Sequence, residues 1–220
     1  MTNYYQTSRN AEKSILLVSM PYEFRREAYT PFIPEPAIMS MVTFLRSYNV
    51  NAYGYISRGT GSVALESACE DIKGLIIKHK ISHIGISINY LPGIPSAENI
   101  IKFIKNYFPH IVIIAGGSVV TGLILSNLHE DYLPFVDIYV QGDGEASLLN
   151  IMNSDISSIR DNIVCNFLAP SQIPSLLNKN IFTTDKSGAM VKLESMSALE
   201  DYHFELITSR GCPFACNFCI

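Results

Sequence analysis

The sequence has no surplus of positive charge, no membrane-length apolar run and no leader-like segment, and each absence removes a class of function. Lys and Arg number 16 against 20 Asp and Glu, a formal net charge of -4, so nothing draws the surface as a whole to nucleic acid or to an anionic membrane. The most apolar stretch, Ile111 to Leu125, is interrupted by Gly116-Gly117-Ser118 and Thr121 and falls short of the roughly 20 residues that cross a bilayer. It reads as a buried strand and its continuation. The N-terminal MTNYYQTSRNAEK is polar, with no apolar run ahead of a cleavage site. With no secretory signal in view, the expected location is the cytoplasm, where thiols stay reduced. No repeat or low-complexity tract appears. Charged residues make up only 16% of the 220 and hydrophobic ones 48%, a balance that suits one domain with an appendage.

Cysteine is also scarce, at five residues, but three are crowded together. Arg210-Gly211-Cys212-Pro213-Phe214-Ala215-Cys216-Asn217-Phe218-Cys219 writes CxxxCxxC. Three thiolates on one loop can hold three corners of a 4Fe-4S cluster and leave the fourth iron open, and an open position is where chemistry happens. Zinc would want a fourth Cys or His. None lies within the motif, and His203 is nine residues upstream of Cys212, across an expected strand. That strand, Phe204 to Ser209, runs into the Cys loop, as a catalytic loop follows a strand in β/α barrels. The other two cysteines do not look like ligands. Cys69 shares an apolar helix face with Leu65, Ile72 and Ile76 and reads as a small core residue; Cys165 falls in a strand-like Ile163-Val164-Cys165.

Upstream, strand and helix patterns alternate. Ser14 to Ser19 is a continuous apolar run of the kind buried on both faces of a parallel sheet. Further strands are expected at Ala52–Ile56, His83–Ile88, Ile111–Ala115 and Val136–Val140. Helical stripes fall between them: Ile38, Met41, Val42 and Leu45; Leu65, Ala68, Cys69, Ile72, Leu75 and Ile76; Ala97, Ile100, Ile101 and Ile104, with Ser96 as a candidate cap; Leu125 and Leu128; and Leu148, Leu149 and Met152. The pattern predicts an α/β fold with a doubly wound, five-stranded parallel sheet of Rossmann-like type. Ligands of such sheets bind at the carboxyl ends of the strands, which here means the loops Ser19–Pro34, Ser57–Ser62, Ser87–Ser96, Gly116–Thr121 and Gln141–Ala146. Between Asp155 and His203 the helical stripe gives way to a Pro-punctuated segment, Leu168 to Leu176, and then to an expected hairpin around Asp185-Lys186-Ser187-Gly188.

Three ligand classes compete for these loops. Gly142-Asp143-Gly144-Glu145-Ala146-Ser147 resembles the dinucleotide fingerprint GxGxxG, but it follows the fifth strand and ends in Ser. A flavin mononucleotide would need a phosphate loop after the first strand, which Met20-Pro21-Tyr22-Glu23 does not provide. The third class is a corrinoid. Asp143 and Glu145 open a helix, which favours acidic residues through its dipole; accepting a hydrogen bond from a corrin amide N–H is the functional alternative. His79, His83, His110, His129 and His203 are scattered at helix ends and strand starts, where surface or hydrogen-bonded polar roles are expected.

The Cys motif, with Phe218 just before its third Cys, resembles the cluster motif of the radical S-adenosylmethionine (SAM) superfamily. A strand ending in Gly116-Gly117, followed by Asp137-Ile138-Tyr139-Val140-Gln141-Gly142-Asp143-Gly144-Glu145 opening a helix, looks like the cobalamin-binding domain that precedes that motif in a large class of these enzymes. The resemblance implies Cys212, Cys216 and Cys219 as cluster ligands, SAM on the open iron and Phe218 seating its adenine. It implies a cobalamin whose tail enters near Ser87, Asn89, Gly116, Gly117 and Ser118, with the corrin beside Gly142 and Gly144. The DxHxxG loop that supplies a cobalt ligand in many cobalamin proteins is absent after the first strand, so no cobalt-ligating His is assigned, and no catalytic residue is named.

The expected organisation is therefore a cobalamin-binding-type domain over residues 1–153, a linker with a hairpin over 154–203, and the first strand and cluster loop of a truncated β/α barrel over 204–220. The expected function is that of the N-terminal portion of a cobalamin-dependent radical SAM enzyme, a methyltransferase acting on an unactivated carbon or phosphorus centre. Its partners would be a small-molecule or peptide substrate contacted mainly by barrel segments beyond Ile220 and an electron donor such as flavodoxin or ferredoxin, with no nucleic acid and no membrane. Without those segments the 220 residues are expected to be inactive on their own. Two alternatives stay open: a corrinoid-binding or interaction module with no catalysis of its own, and an α/β nucleotide-binding protein with a terminal metal knuckle.

Overall fold

Ser14–Ser19 forms β1, and all six of its residues are buried, as an apolar run sandwiched between two helical layers should be. The computed structural model describes residues 13–19, 35–57, 61–159, 162–166, 181–184 and 190–192. From β1 the described elements are α1 (Pro36–Ser47), β2 (Asn51–Ile56), α2 (Gly61–His79), β3 (His83–Ser87), α3 (Ile94–Tyr107), β4 (Val112–Gly116), α4 (Ser118–Leu125), α5 (His129–Tyr132), β5 (Ile138–Gln141), α6 (Gly144–Asn153), β6 (Ile163–Cys165), β7 (Ile181–Thr184) and β8 (Met190–Lys192). They build one α/β sheet in the order β6-β5-β4-β3-β1-β2-β7-β8. Seven strands are parallel, and β8 runs antiparallel to β7.

The expected five strands are the central five of the eight. The sheet is wider because Ile163–Cys165 extends one edge beside β5 and Ile181–Thr184 extends the other beside β2, with Met190–Lys192 closing the hairpin. The region read as a linker thus contributes three strands. The strand expected at Ile163–Cys165 and the hairpin expected after it are present as β6 and as the antiparallel pair β7 and β8; that they join the sheet escapes the sequence because each is only three or four residues long, too short to show a period. Two helix assignments also change. Ser96 is not a cap: a 3-10 turn at Leu91–Gly93 feeds straight into α3, Gly93 holds the cap position and Pro95 fits the first turn. α4 ends at Leu125, which is exposed, and Leu128 stands outside it at the cap of α5.

Alternation along the strands splits the core in two. Leu16 and Val18 of β1, Ile84 and Ile86 of β3 and Ile113 and Ala115 of β4 face α2, α3 and α4. Ile15 and Leu17, Ile114 of β4 and Ile138 and Val140 of β5 face α1 and α6. The chain steps from β1 to β2 on one side and crosses back to β3 on the other, so the order reverses at β1 and β3. A crevice at the carboxyl end of a parallel sheet is expected at such a reversal. Among the described residues no helix is long and apolar enough to cross a membrane.

Candidate functional site

One cross-strand row on the α1/α6 face explains where the cavity opens. The parallel register aligns Gly54 of β2 with Leu17 of β1, Leu17 with Gly85 of β3, and Gly85 with Ile114 of β4. At Gly54 the missing side chain is filled by helix α1, since a Cβ there would lie 2.8 Å from Ile38 Cγ2. At Gly85 the missing side chain is replaced by the neighbouring strand, since a Cβ there would lie 2.6 Å from Leu17 Cδ2; Gly85, Leu17 and Leu148 line a slot between α1 and α6. Two residues further along the strands, in register, stand Ser19, Ser87 and Gly116. The face therefore passes from large apolar residues to small polar ones as it reaches the carboxyl ends.

The cavity encloses about 430 Å³. Leu17, Ile38, Met41, Ile114, Val140 and Leu148 make its deep walls, and Ser87, Asn89, Gly116, Gly117, Ser118, Thr121 and Gly142 to Glu145 rim its mouth. Ser87, Asn89, Gly116, Gly117, Ser118, Gly142 and Gly144, the residues singled out in the sequence outside the Cys motif, all line it. Cys212, Cys216, Cys219 and Phe218 lie outside the described residues, as does the strand Phe204–Ser209. Among the described residues no three His, Cys, Asp or Glu side chains come together as a metal would need.

Two glycines at the mouth are required by geometry. Gly117 precedes α4 with φ 108° and ψ 175°, a region open essentially to glycine alone. A Cβ there would sit 2.5 Å from the Ile88 carbonyl oxygen and 2.8 Å from Asn89 Oδ1. Gly142 has φ 81° and donates its N–H to Thr121 Oγ1 at 3.1 Å, tying the β5 loop to α4. At Gly144 a side chain would collide with Met41 of α1, so this glycine lets α1 and α6 approach across the slot.

Polar groups missed in the sequence hold the rim together. Glu35, which caps α1, accepts hydrogen bonds at Oε1 from Ser87 Oγ and Asn89 Nδ2, each at 3.0 Å. Asn89 also receives Ser118 N–H on Oδ1 at 3.3 Å, while Ser118 Oγ donates to the Asn89 carbonyl at 3.0 Å. Glu145, 2% exposed, is more than an acid near a helix dipole: it accepts the Ser40 hydroxyl at 2.6 Å and so bolts α6 to α1. Asp143 occupies the cap position of α6 without a side-chain cap bond. Glu35 and Ser40 are unremarkable in sequence because their partners lie 52 and 105 residues away.

The histidines divide differently from expectation. His83 and His129 are buried, and His83 Nε2 and His129 Nδ1 have no hydrogen-bond partner. His83 sits on the slot face of β3 but at the amino end of the strand, and Ser82 Oγ reaches its Nδ1 at 2.8 Å. Burial pushes its pKa down to about 4, so it is a neutral core residue and not a site acid. His79 stacks on Tyr53 with ring centres 4.2 Å apart. Cys69 is buried, as its helical stripe required, and burial lifts its thiol to about 11, whereas Cys165 on β6 is exposed.

The described lining bears on which ligand classes fit. An anion at the N-terminus of α6 would exploit the helix dipole and free amides, but Asp143 and Glu145 already supply negative charge there. None of the described lining residues is Lys or Arg. Among the described residues a pyrophosphate would therefore meet no cation, while the apolar walls and neutral polar edges suit a bulky ligand with an apolar face. Against protein-family models and curated proteins alike, the chain finds no match.

Proposed function

We propose that the α/β unit binds a corrinoid in the slot between α1 and α6, and that the chain is the N-terminal portion of a cobalamin-dependent radical SAM enzyme, a methyltransferase acting on an unactivated carbon or phosphorus centre. The observation that carries the corrinoid reading is the slot itself: an apolar cavity beside Gly85 and Leu17, at the reversal point of the sheet, with hydroxyl and amide groups, glycines and the acids Asp143 and Glu145 along its mouth. A bound corrinoid would supply a methyl-carrying cobalt. The residues that would hold it are Gly85, Leu17 and Leu148 against the inserted tail, Ser87, Asn89 and Ser118 at the mouth, and the Gly142–Gly144 backbone beside the ring. Cys212, Cys216 and Cys219 would hold the 4Fe-4S cluster, as their spacing suggests, and the resemblance to the radical SAM motif would put SAM with it.

The test is anaerobic incubation with hydroxocobalamin, gel filtration and a visible spectrum of the protein peak. Stoichiometric retention, lost in Gly85→Leu, supports the reading; absence of corrinoid from the folded wild-type chain rejects it. Parallel reconstitution with ferrous iron and sulfide separates the enzyme portion from a simple corrinoid carrier. Iron bound through the three terminal cysteines belongs to the former, and corrinoid without iron to the latter.

A further inference from the structure

The network at the mouth of the slot has one consistent arrangement of protons. A carboxylate only accepts, so Ser87 Oγ gives its single proton to Glu35 Oε1, 3.0 Å away. The Ser118 N–H on Asn89 Oδ1 fixes the orientation of the amide. Asn89 Nδ2 then donates to both Glu35 Oε1 and Ser87 Oγ, each at 3.0 Å. The one donor of Ser87 is spent inside the network. What Ser87, a cavity-lining residue, retains toward the slot is a lone pair.

We propose that this mouth selects a ligand group bearing an N–H donor, that Ser87 Oγ is the acceptor which reads it, and that Glu35 is the positioning residue that stops Ser87 from donating. A ligand atom offering only a lone pair, such as an imidazole-type nitrogen, would face another lone pair and stay unpaired. An unmade buried hydrogen bond of this kind lowers affinity by about ten-fold. The proposal rests on the corrinoid reading only for the identity of the whole ligand. In a corrinoid the donor has two sources, a primary amide on the ring edge or an amino group on the base of the nucleotide tail.

The test uses the full chain and two fragments that differ only in an exocyclic amino group, 9-methyladenine and 9-methylpurine, with binding followed by ligand-observed NMR. Wild-type protein is expected to favour 9-methyladenine by about ten-fold. Ser87→Ala and Glu35→Ala should each bring the ratio close to unity, the first by removing the acceptor and the second by freeing the Ser87 proton. Equal binding of the two, binding of neither, or a ratio that survives both substitutions overturns the proposal. Dicyanocobinamide, hydroxocobalamin and an adenine-tailed corrinoid then separate the sources. Loss of affinity for all three in Ser87→Ala identifies the ring amide, and loss for the adenine-tailed compound alone identifies the tail amine. A fragment preference without retention of any corrinoid would uphold the donor rule and reject the corrinoid reading, so the two can fail separately.

Discussion

Gly116 and Gly117 are neighbours in sequence and both rim the slot, yet Ala at the two positions should behave in opposite ways. At Gly117 an Ala must adopt φ near 108°, which costs about 1–3 kcal/mol. Its Cβ would also stand 2.5 Å from the Ile88 oxygen and 2.9 Å from the Ile88 carbonyl carbon. These are backbone atoms, and they cannot swing away as a side-chain tip can. The Ile88 oxygen accepts Val119 N–H at 3.2 Å, and Ile88 N–H donates to the Gly116 oxygen at 2.8 Å, so relief of the clash strains the link between β3 and α4. The sum is about 3–4 kcal/mol. At Gly116 the backbone is ordinary and a Cβ would meet Val140 Cβ at 3.4 Å, van der Waals contact; Gly116→Ala should therefore change stability by less than about 1 kcal/mol. Urea unfolding followed by far-UV circular dichroism measures both. With an m-value of about 2 kcal/mol/M, Gly117→Ala should lower the midpoint by roughly 1.5–2 M and Gly116→Ala by under roughly 0.5 M. Equal midpoints for the two variants would refute the assignment of strain to Gly117.

Other consequences can be checked alongside. His83, neutral in the fold, has its pKa depressed from 6.5 to about 4 by burial, so the unfolded chain takes up the proton first as pH falls. Stability should be full above about pH 6.5 and decline toward pH 4 by up to about 3 kcal/mol. His83→Leu should lack that acid-side decline, and superimposable pH profiles for wild type and variant would contradict it. Ser40→Ala leaves buried Glu145 without its 2.6 Å donor and should destabilise the fold by about 2 kcal/mol in chemical denaturation, whereas an unchanged midpoint would mean that α1 and α6 do not depend on that bond. Replacing Cys212, Cys216 and Cys219 with Ala should abolish iron incorporation, measured colorimetrically after reconstitution, while corrinoid retention persists; joint loss in a still-folded protein would contradict separate sites. In that triple variant iodoacetamide should modify Cys165 well before Cys69, read by mass spectrometry, because Cys69 is buried with its thiol pushed up to about 11.

How much of this was legible in the sequence depends on the range of the interaction concerned. β1 and the amphipathic helices declare themselves through local periodicity. Leu65, Ala68, Cys69, Ile72, Leu75 and Ile76 recur at helical spacing and pack together in the same cluster. The mouth was legible for a related reason, because a parallel α/β sheet gathers its strand-end loops at one edge and the Gly-, Ser- and Asn-rich loops are visible as such. The edge strands were legible as a strand at Ile163–Cys165 and a hairpin of β7 and β8, but not as members of this sheet, because that membership depends on neighbours already in place, with Tyr139 and Ile163 aligned on one edge and Gly54 and Ile181 on the other.

The slot itself was invisible for a subtler reason. Gly85 sits inside an apolar strand where a glycine would usually be read only as a weak strand former, and nothing local distinguishes it from Gly54. The difference lies in what fills each position: helix α1 reaches Gly54 through Ile38, whereas at Gly85 the space is taken by Leu17 of the adjacent strand, and both Gly85 and Leu17 line the slot. The same holds for the two acids. Glu35 and Glu145 look like helix-start carboxylates, interchangeable with any acid in a first turn, but one orders the protons of Ser87 and Asn89 and the other joins two helices through Ser40. A dipole role would be filled equally well by Asp at either position. A role in a fixed hydrogen-bond network would not, because Asp is shorter by one methylene and its carboxylate would fall short of partners now at 2.6 to 3.0 Å. Glu145→Asp should therefore approach Ser40→Ala in lost stability, and Glu35→Asp should weaken the donor preference of the slot as Glu35→Ala does. If both aspartates behave as wild type, the helix dipole is the whole explanation and the network contributes nothing.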